Sequence, residues 1–188
     1  MKFEVFNELP LDYNLVWNGD FKENKKLLML LNVGGIILII PFTIIYFVYF
    51  INKVGNDYGL FLSFLLFIPT VFIHELIHAI FFKMNKNVQV KFAFHGFAAS
   101  CSAPNQYVEK KHYFLVGIAP AIIINLGLII ALFFASGLVF GILYWLLVLH
   151  FCGCIGDFYI IFKLIKLPKD LLIRDYGIGM EFYSKEDK

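Results

Sequence analysis

Residues 58–84 read YGLFLSFLLFIPTVFIHELIHAIFFKM. Apart from Glu75 and Lys83 the stretch holds no formally charged side chain, and at 1.5 Å per helical residue it is long enough to cross a hydrocarbon layer of about 30 Å. It predicts a membrane-spanning helix. Three further stretches read the same way, at residues 27–50, 113–136 and 139–162, with Pro41 a kink in the first. The composition agrees: 60 % of the chain is hydrophobic, 16 % is charged and the mean hydropathy is +0.77, which takes it out of the range of ordinary soluble domains. The expectation is an all-α polytopic membrane protein, a single domain over residues 1–188 with four transmembrane helices.

The polar segments complete that picture. Residues 1–26 have no basic region leading into an apolar core and a small-residue cleavage site, so no signal peptide is expected. Between the second and third spans, Val88, Val90, Phe92 and Phe94 alternate with Gln89, Lys91 and Ala93, the period of a strand. His95-Gly96 reads as a turn and Phe97 to Ser102 as a returning strand that ends at Pro104-Asn105, giving a short β-hairpin between helices 2 and 3. Residues 163–188, punctuated by Pro168, Gly177 and Gly179, read as a polar tail. Fifteen of the 16 Lys and Arg residues, all but Lys53, flank one side of the spans, which predicts cytoplasmic termini and a cytoplasmic hairpin. The net charge of +2 argues against a nucleic-acid partner. Cys101, Cys152 and Cys154 are odd in number and lack a repeated Cys-x-x-Cys, so no disulfide framework is expected.

Within the second span the run His74-Glu75-Leu76-Ile77-His78 carries chemistry. Residues four apart share one helix face, so both imidazoles can reach one metal ion, while Glu75 beside them can touch a metal-bound water without being a ligand. A catalytic zinc takes a third protein ligand. Downstream glutamates offer Glu109, Glu181 and Glu186. The stronger candidate is Asp157, because it lies six residues before Lys163 and so matches the depth of His78, six residues before Met84. An ionisable group within a span costs several kcal/mol unless it is paired, hydrated or metal-bound. His150, seven residues before Asp157 on the same face, is a candidate to orient a ligand or stabilise an oxyanion. Cys154, three residues before Asp157 on the same face, reads as small-residue packing or an adventitious ligand, His95 and His112 as solvated loop residues, and Gly153 and Gly156 as places where another helix approaches.

These residues resemble the site-2 protease class of intramembrane metallopeptidases and, more closely, a bacterial membrane family of zincin-like peptidases. His74, Glu75 and His78 match the first element of the former and Asp157 the second; Ile118-Ala119-Pro120 followed by Asn125 is similar to the Gly-Pro and Asn of its third core helix. The Leu-Pro start, the hairpin and the Leu-Pro-Lys-Asp tail are similar to the smaller family. The resemblance implies an intramembrane metalloprotease of a bacterial cell membrane that binds Zn2+, with Glu75 as general base and a membrane protein or peptide as substrate. A substrate entering extended would pair with the strand of Val88, Val90, Phe92 and Phe94. The alternatives are a membrane metal or haem carrier, with His78 and His150 facing one another, and a non-cutting adaptor.

Overall fold

The polar ends of the chain are strands, which overturns the all-α expectation. The computed structural model describes residues 3–20, 24–54, 58–94 and 99–185. In chain order the strands are β1 (Val5–Phe6), β2 (Asn14–Asp20), β3 (Lys91–Phe94), β4 (Ala99–Glu109), β5 (Leu172–Asp175) and β6 (Gly179–Ser184). They form one antiparallel six-stranded sheet in the order β1-β4-β5-β6-β2, with β3 added on β4. The fold is therefore mixed α/β. The tail reads as irregular because β5 has only four residues and Gly177 and Gly179 surround its turn. Its strand pattern is short but present: Met180, Phe182 and Ser184 are buried on β6, while Glu181 and Tyr183, which alternate with them, are only half-buried.

The hairpin between the second and third helices also differs from its reading. Its first strand begins at Lys91, and Val88 is buried outside it. The expected turn at His95-Gly96 lies outside the described residues. The second strand runs on to Glu109, because its register against β5 shifts between Ala103 and Val108 and an irregularity there absorbs Pro104.

The helices are α1 (Lys25–Ile45), which continues through a π-helical turn at Tyr46–Phe50, then α2 (Ile51–Val54), α3 (Tyr58–Phe82), α4 (Lys110–Phe134), α5 (Gly137–Gly153) and α6 (Ile155–Lys166). Three stretches, Lys25–Phe50, Tyr58–Phe82 and Lys110–Phe134, are long and apolar enough to cross a membrane. The fourth expected span, residues 139–162, is instead two helices broken at Cys154, and counts as a span only if the pair is taken together. The break was invisible to composition because both sides of it are apolar.

Contacts divide the chain into two compact units. One comprises residues 1–28, 75–119 and 157–188 and holds the whole sheet. Its core joins Phe82, Val88, Val108, Leu164, Leu171, Ile173 and Phe182, with Trp17 of β2 packed on the Phe182 ring at 4.6 Å. The other comprises residues 29–74 and 120–156, with Tyr46, Val54, Tyr144, Trp145, Val148 and Cys152 at its centre. Here α3 and α5 meet closely at Gly59, where an added Cβ would stand 2.8 Å from the carbonyl carbon of Gly141. Among the described residues the approach expected at Gly153 and Gly156 is not a tight one: a Cβ at Gly153 would meet Phe67 at an ordinary 3.6 Å, and one at Gly156 would meet none of them within 4 Å.

Candidate metal centre

Helix α3 carries His74, Glu75 and His78 within one turn, and each histidine has its Nδ1 occupied. In the sheet-bearing unit, buried His78 donates from Nδ1 to the Val116 carbonyl at 2.8 Å. Its other nitrogen, Nε2, is thereby the lone-pair atom of the neutral ring, and it stands 3.7 Å from Oδ1 of Asp157. That distance is too long for a hydrogen bond but is spanned by two metal–ligand bonds of about 2.0–2.1 Å meeting at a wide angle. Asp157 lies in the first turn of α6, the end at which a helix attracts negative charge.

In the other unit His74 is held by a buried relay. His74 Nδ1 is 3.0 Å from Nε2 of His150, and His150 Nδ1 is 2.8 Å from Oδ1 of Asn125. An amide oxygen only accepts, so His150 donates to Asn125 from Nδ1, accepts at Nε2, and His74 donates to it. The lone pair of His74 is then also on Nε2. Such occupation of the outer nitrogen is what fixes tautomer and ring direction in metal-ligating histidines. The donor types, two imidazole nitrogens and a carboxylate, fit a three-ligand catalytic zinc.

A rival group shares one member. Cys154 Sγ lies 3.9 Å from His74 Nδ1 and 3.8 Å from His150 Nε2, and the ligand atoms of His74, His150 and Cys154 all lie within 4.8 Å of one another. Its two nitrogens are those already sharing a hydrogen bond. The downstream glutamates bind elsewhere: Glu109 accepts from the Glu4 amide, and Glu181 accepts from Tyr183 and pairs with Arg174; Glu186 lies outside the described residues. Both nitrogens of His150 are engaged in hydrogen bonds, with His74 and with Asn125. His112, expected in a solvated loop, is buried in α4, donates from Nε2 to the Phe81 carbonyl at 2.8 Å and stacks on Phe3.

Glu75 is half-buried, and its carboxylate is close enough to Cys101 on β4 to act on it: burial first, then Glu75 and Asp175, push that thiol up to about 12. Cys101 is paired with Phe92 of β3. Phe92 and Phe94 are exposed, whereas Val90 sits before the strand.

Asp175, at the end of β5, was not singled out by the sequence, since only closure of the sheet buries it. It accepts from the Tyr113 hydroxyl at 2.6 Å and from the Gly177 amide at 2.8 Å. Burial, opposed by these two bonds and reinforced by Asp157, raises its pKa to about 6. The folded value lies above the ordinary 3.8, so the folded chain keeps a proton that the unfolded chain releases between those values. The resulting stability is complete below about pH 4 and is lost as pH rises through about 6, to the extent of about 3 kcal/mol. Melting of the full chain across this window should show that decline, and Asp175→Asn should flatten it; an unchanged slope in the variant would contradict the assignment.

These residue types at this spacing are the ones zinc-dependent metallopeptidases use. The model of one family, described as "Putative zincin peptidase" (DUF3267), matches residues 67–172, more than half of the chain. The chain belongs to that family, and membership implies a zinc metallopeptidase. Comparison with curated proteins and with solved structures gave no match.

Proposed function

We propose that the protein is an intramembrane zinc endopeptidase, similar to site-2 proteases, that cuts membrane-associated proteins near the cytoplasmic leaflet. In this reading His74, His78 and Asp157 hold the metal. Zinc, when bound, supplies Lewis acidity toward a peptide carbonyl and a water whose pKa is lowered toward 7. Glu75 takes the proton of the attacking water and returns it to the leaving amine. His150 and Asn125 position His74 by holding its Nδ1–H, and Val116 does the same for His78. The observation that carries the reading is that Nδ1 of each histidine is engaged, His78 with the Val116 carbonyl and His74 with His150, together with Asp157 standing opposite Nε2 of His78.

A membrane helix hides its peptide bonds in its own hydrogen bonds, so a substrate must enter unwound. Among the described residues β3 pairs with β4 alone, which leaves an edge for an extended segment. Phe92→Pro is expected to lower turnover roughly tenfold or more by removing a strand N–H, with zinc content unchanged. Val90→Pro, before the strand, should cost much less. Full turnover by Phe92→Pro would remove β3 from the substrate path.

The whole reading is tested with the full-length protein reconstituted in liposomes beside single-span peptides. Cleavage within the apolar segment, lost on chelation with 1,10-phenanthroline and restored by zinc, is expected. Cleavage indifferent to the chelator would contradict it.

A further inference from the structure

Within the sheet-bearing unit a cleft of about 420 Å³ opens between the start of α4 and the end of α6, lined by Lys110, Lys111, Phe114, Leu115, Ile165 and Lys169. Its chemistry is two-part. Phe114, Leu115, Ile165 and the hydrocarbon stems of the lysines form apolar walls, and three of the six lining residues are lysines, so the cleft carries positive charge beside them. Lys110 is anchored: its Nζ donates to the carbonyls of Leu167 at 2.7 Å and Pro168 at 3.0 Å, tying the first residue of α4 to the chain just beyond α6. Lys111 and Lys169 are exposed. Of the residues lining the cleft none is acidic, and the neighbouring carboxylates are engaged with the sheet, Glu109 with the Glu4 amide and Asp170 with Ser184 and the Lys185 amide.

An apolar slot lined by lysines, two of them exposed, complements a ligand that is anionic at one end and hydrocarbon at the other. Lys110 begins a helix long and apolar enough to cross a membrane, so in a bilayer the lysines at its start sit at headgroup level and the slot faces the acyl chains. We propose that this cleft binds one anionic glycerophospholipid, with its phosphate between Lys111 and Lys169 and an acyl chain against Phe114, Leu115 and Ile165. The inference rests on the membrane-spanning part of the proposed function and not on its peptidase chemistry.

The test is native mass spectrometry of the full-length protein released from nanodiscs containing phosphatidylglycerol and phosphatidylcholine in equal parts. The wild type is expected to retain phosphatidylglycerol in preference. At about fivefold per interfacial lysine, the double variant K111Q/K169Q should lose about 25-fold of that preference. Leu115→Trp, which fills the slot and leaves the charge alone, should lose the bound lipid as well. A wild type without preference, or phosphatidylglycerol retained at wild-type level by either variant, would overturn the site; retention by Leu115→Trp in particular would reduce it to diffuse surface attraction. A chain that selects the lipid but cuts no peptide leaves the cleft standing and removes the peptidase reading, whereas a chain that does not enter bilayers removes the membrane reading and this inference with it.

Discussion

Glu75→Gln is expected to abolish cleavage while leaving zinc in place. The substitution keeps the shape of the side chain and removes its ability to take a proton. Glu75 is flanked by the two histidines on α3 and is not itself among the proposed ligands, so the metal should be held as before. General base catalysis contributes about 10²–10⁴ in rate, or roughly 3–5 kcal/mol of transition-state stabilisation, and turnover should fall by at least that factor. Turnover in liposomes, read beside zinc content, checks it. A variant that cuts at near wild-type rate would show that Glu75 is not the base, and one that loses zinc would make it a ligand.

The second large effect is on metal affinity. His78→Ala removes one proposed ligand, the imidazole that stands 3.7 Å from the Asp157 carboxylate. Zinc binding by a full ligand set is worth about 10–16 kcal/mol in small zinc domains, so a missing ligand should cost several kcal/mol, about a thousandfold in affinity. Asn125→Ala acts one step further out: it removes the acceptor that holds His150, and through it His74, in the tautomers this hydrogen-bond chain implies. Loss of such an outer partner costs about 10–100-fold. Cys154→Ser should have little effect. Titration against a competing chelator ranks the three, and a Cys154→Ser loss as deep as that of His78→Ala would move the metal to the rival group of His74, His150 and Cys154.

Much of the helical part was legible because a long uncharged apolar run has few other solutions, and α3 and α4 lie within a few residues of the expected spans. The sheet was not, because its pairings are remote in sequence: β2 finds its partner in β6, and β4 is flanked by β5 from the far end of the chain. No local pattern reveals such partners when the strands are this short. Pro104 also misled, being a strand terminator in sequence and an irregularity inside β4 in the fold. Around the candidate site, spacing along α3 joins His74 with His78, and matched depth singled out Asp157, which lies 3.7 Å from His78. Asn125 and His150 were candidates on looser grounds, and the fold links both to His74. Asp175 had no sequence signal beyond an acid following Leu172 and Ile173, since its burial exists only once β5 is paired.

The most direct test of the proposed centre is zinc K-edge X-ray absorption on the full-length, zinc-loaded protein. The account predicts a shell of nitrogen and oxygen scatterers at about 2.0–2.1 Å with the outer scattering of two imidazoles, and no sulfur. A sulfur scatterer at about 2.3 Å would place zinc on Cys154 and contradict the assignment to His74, His78 and Asp157.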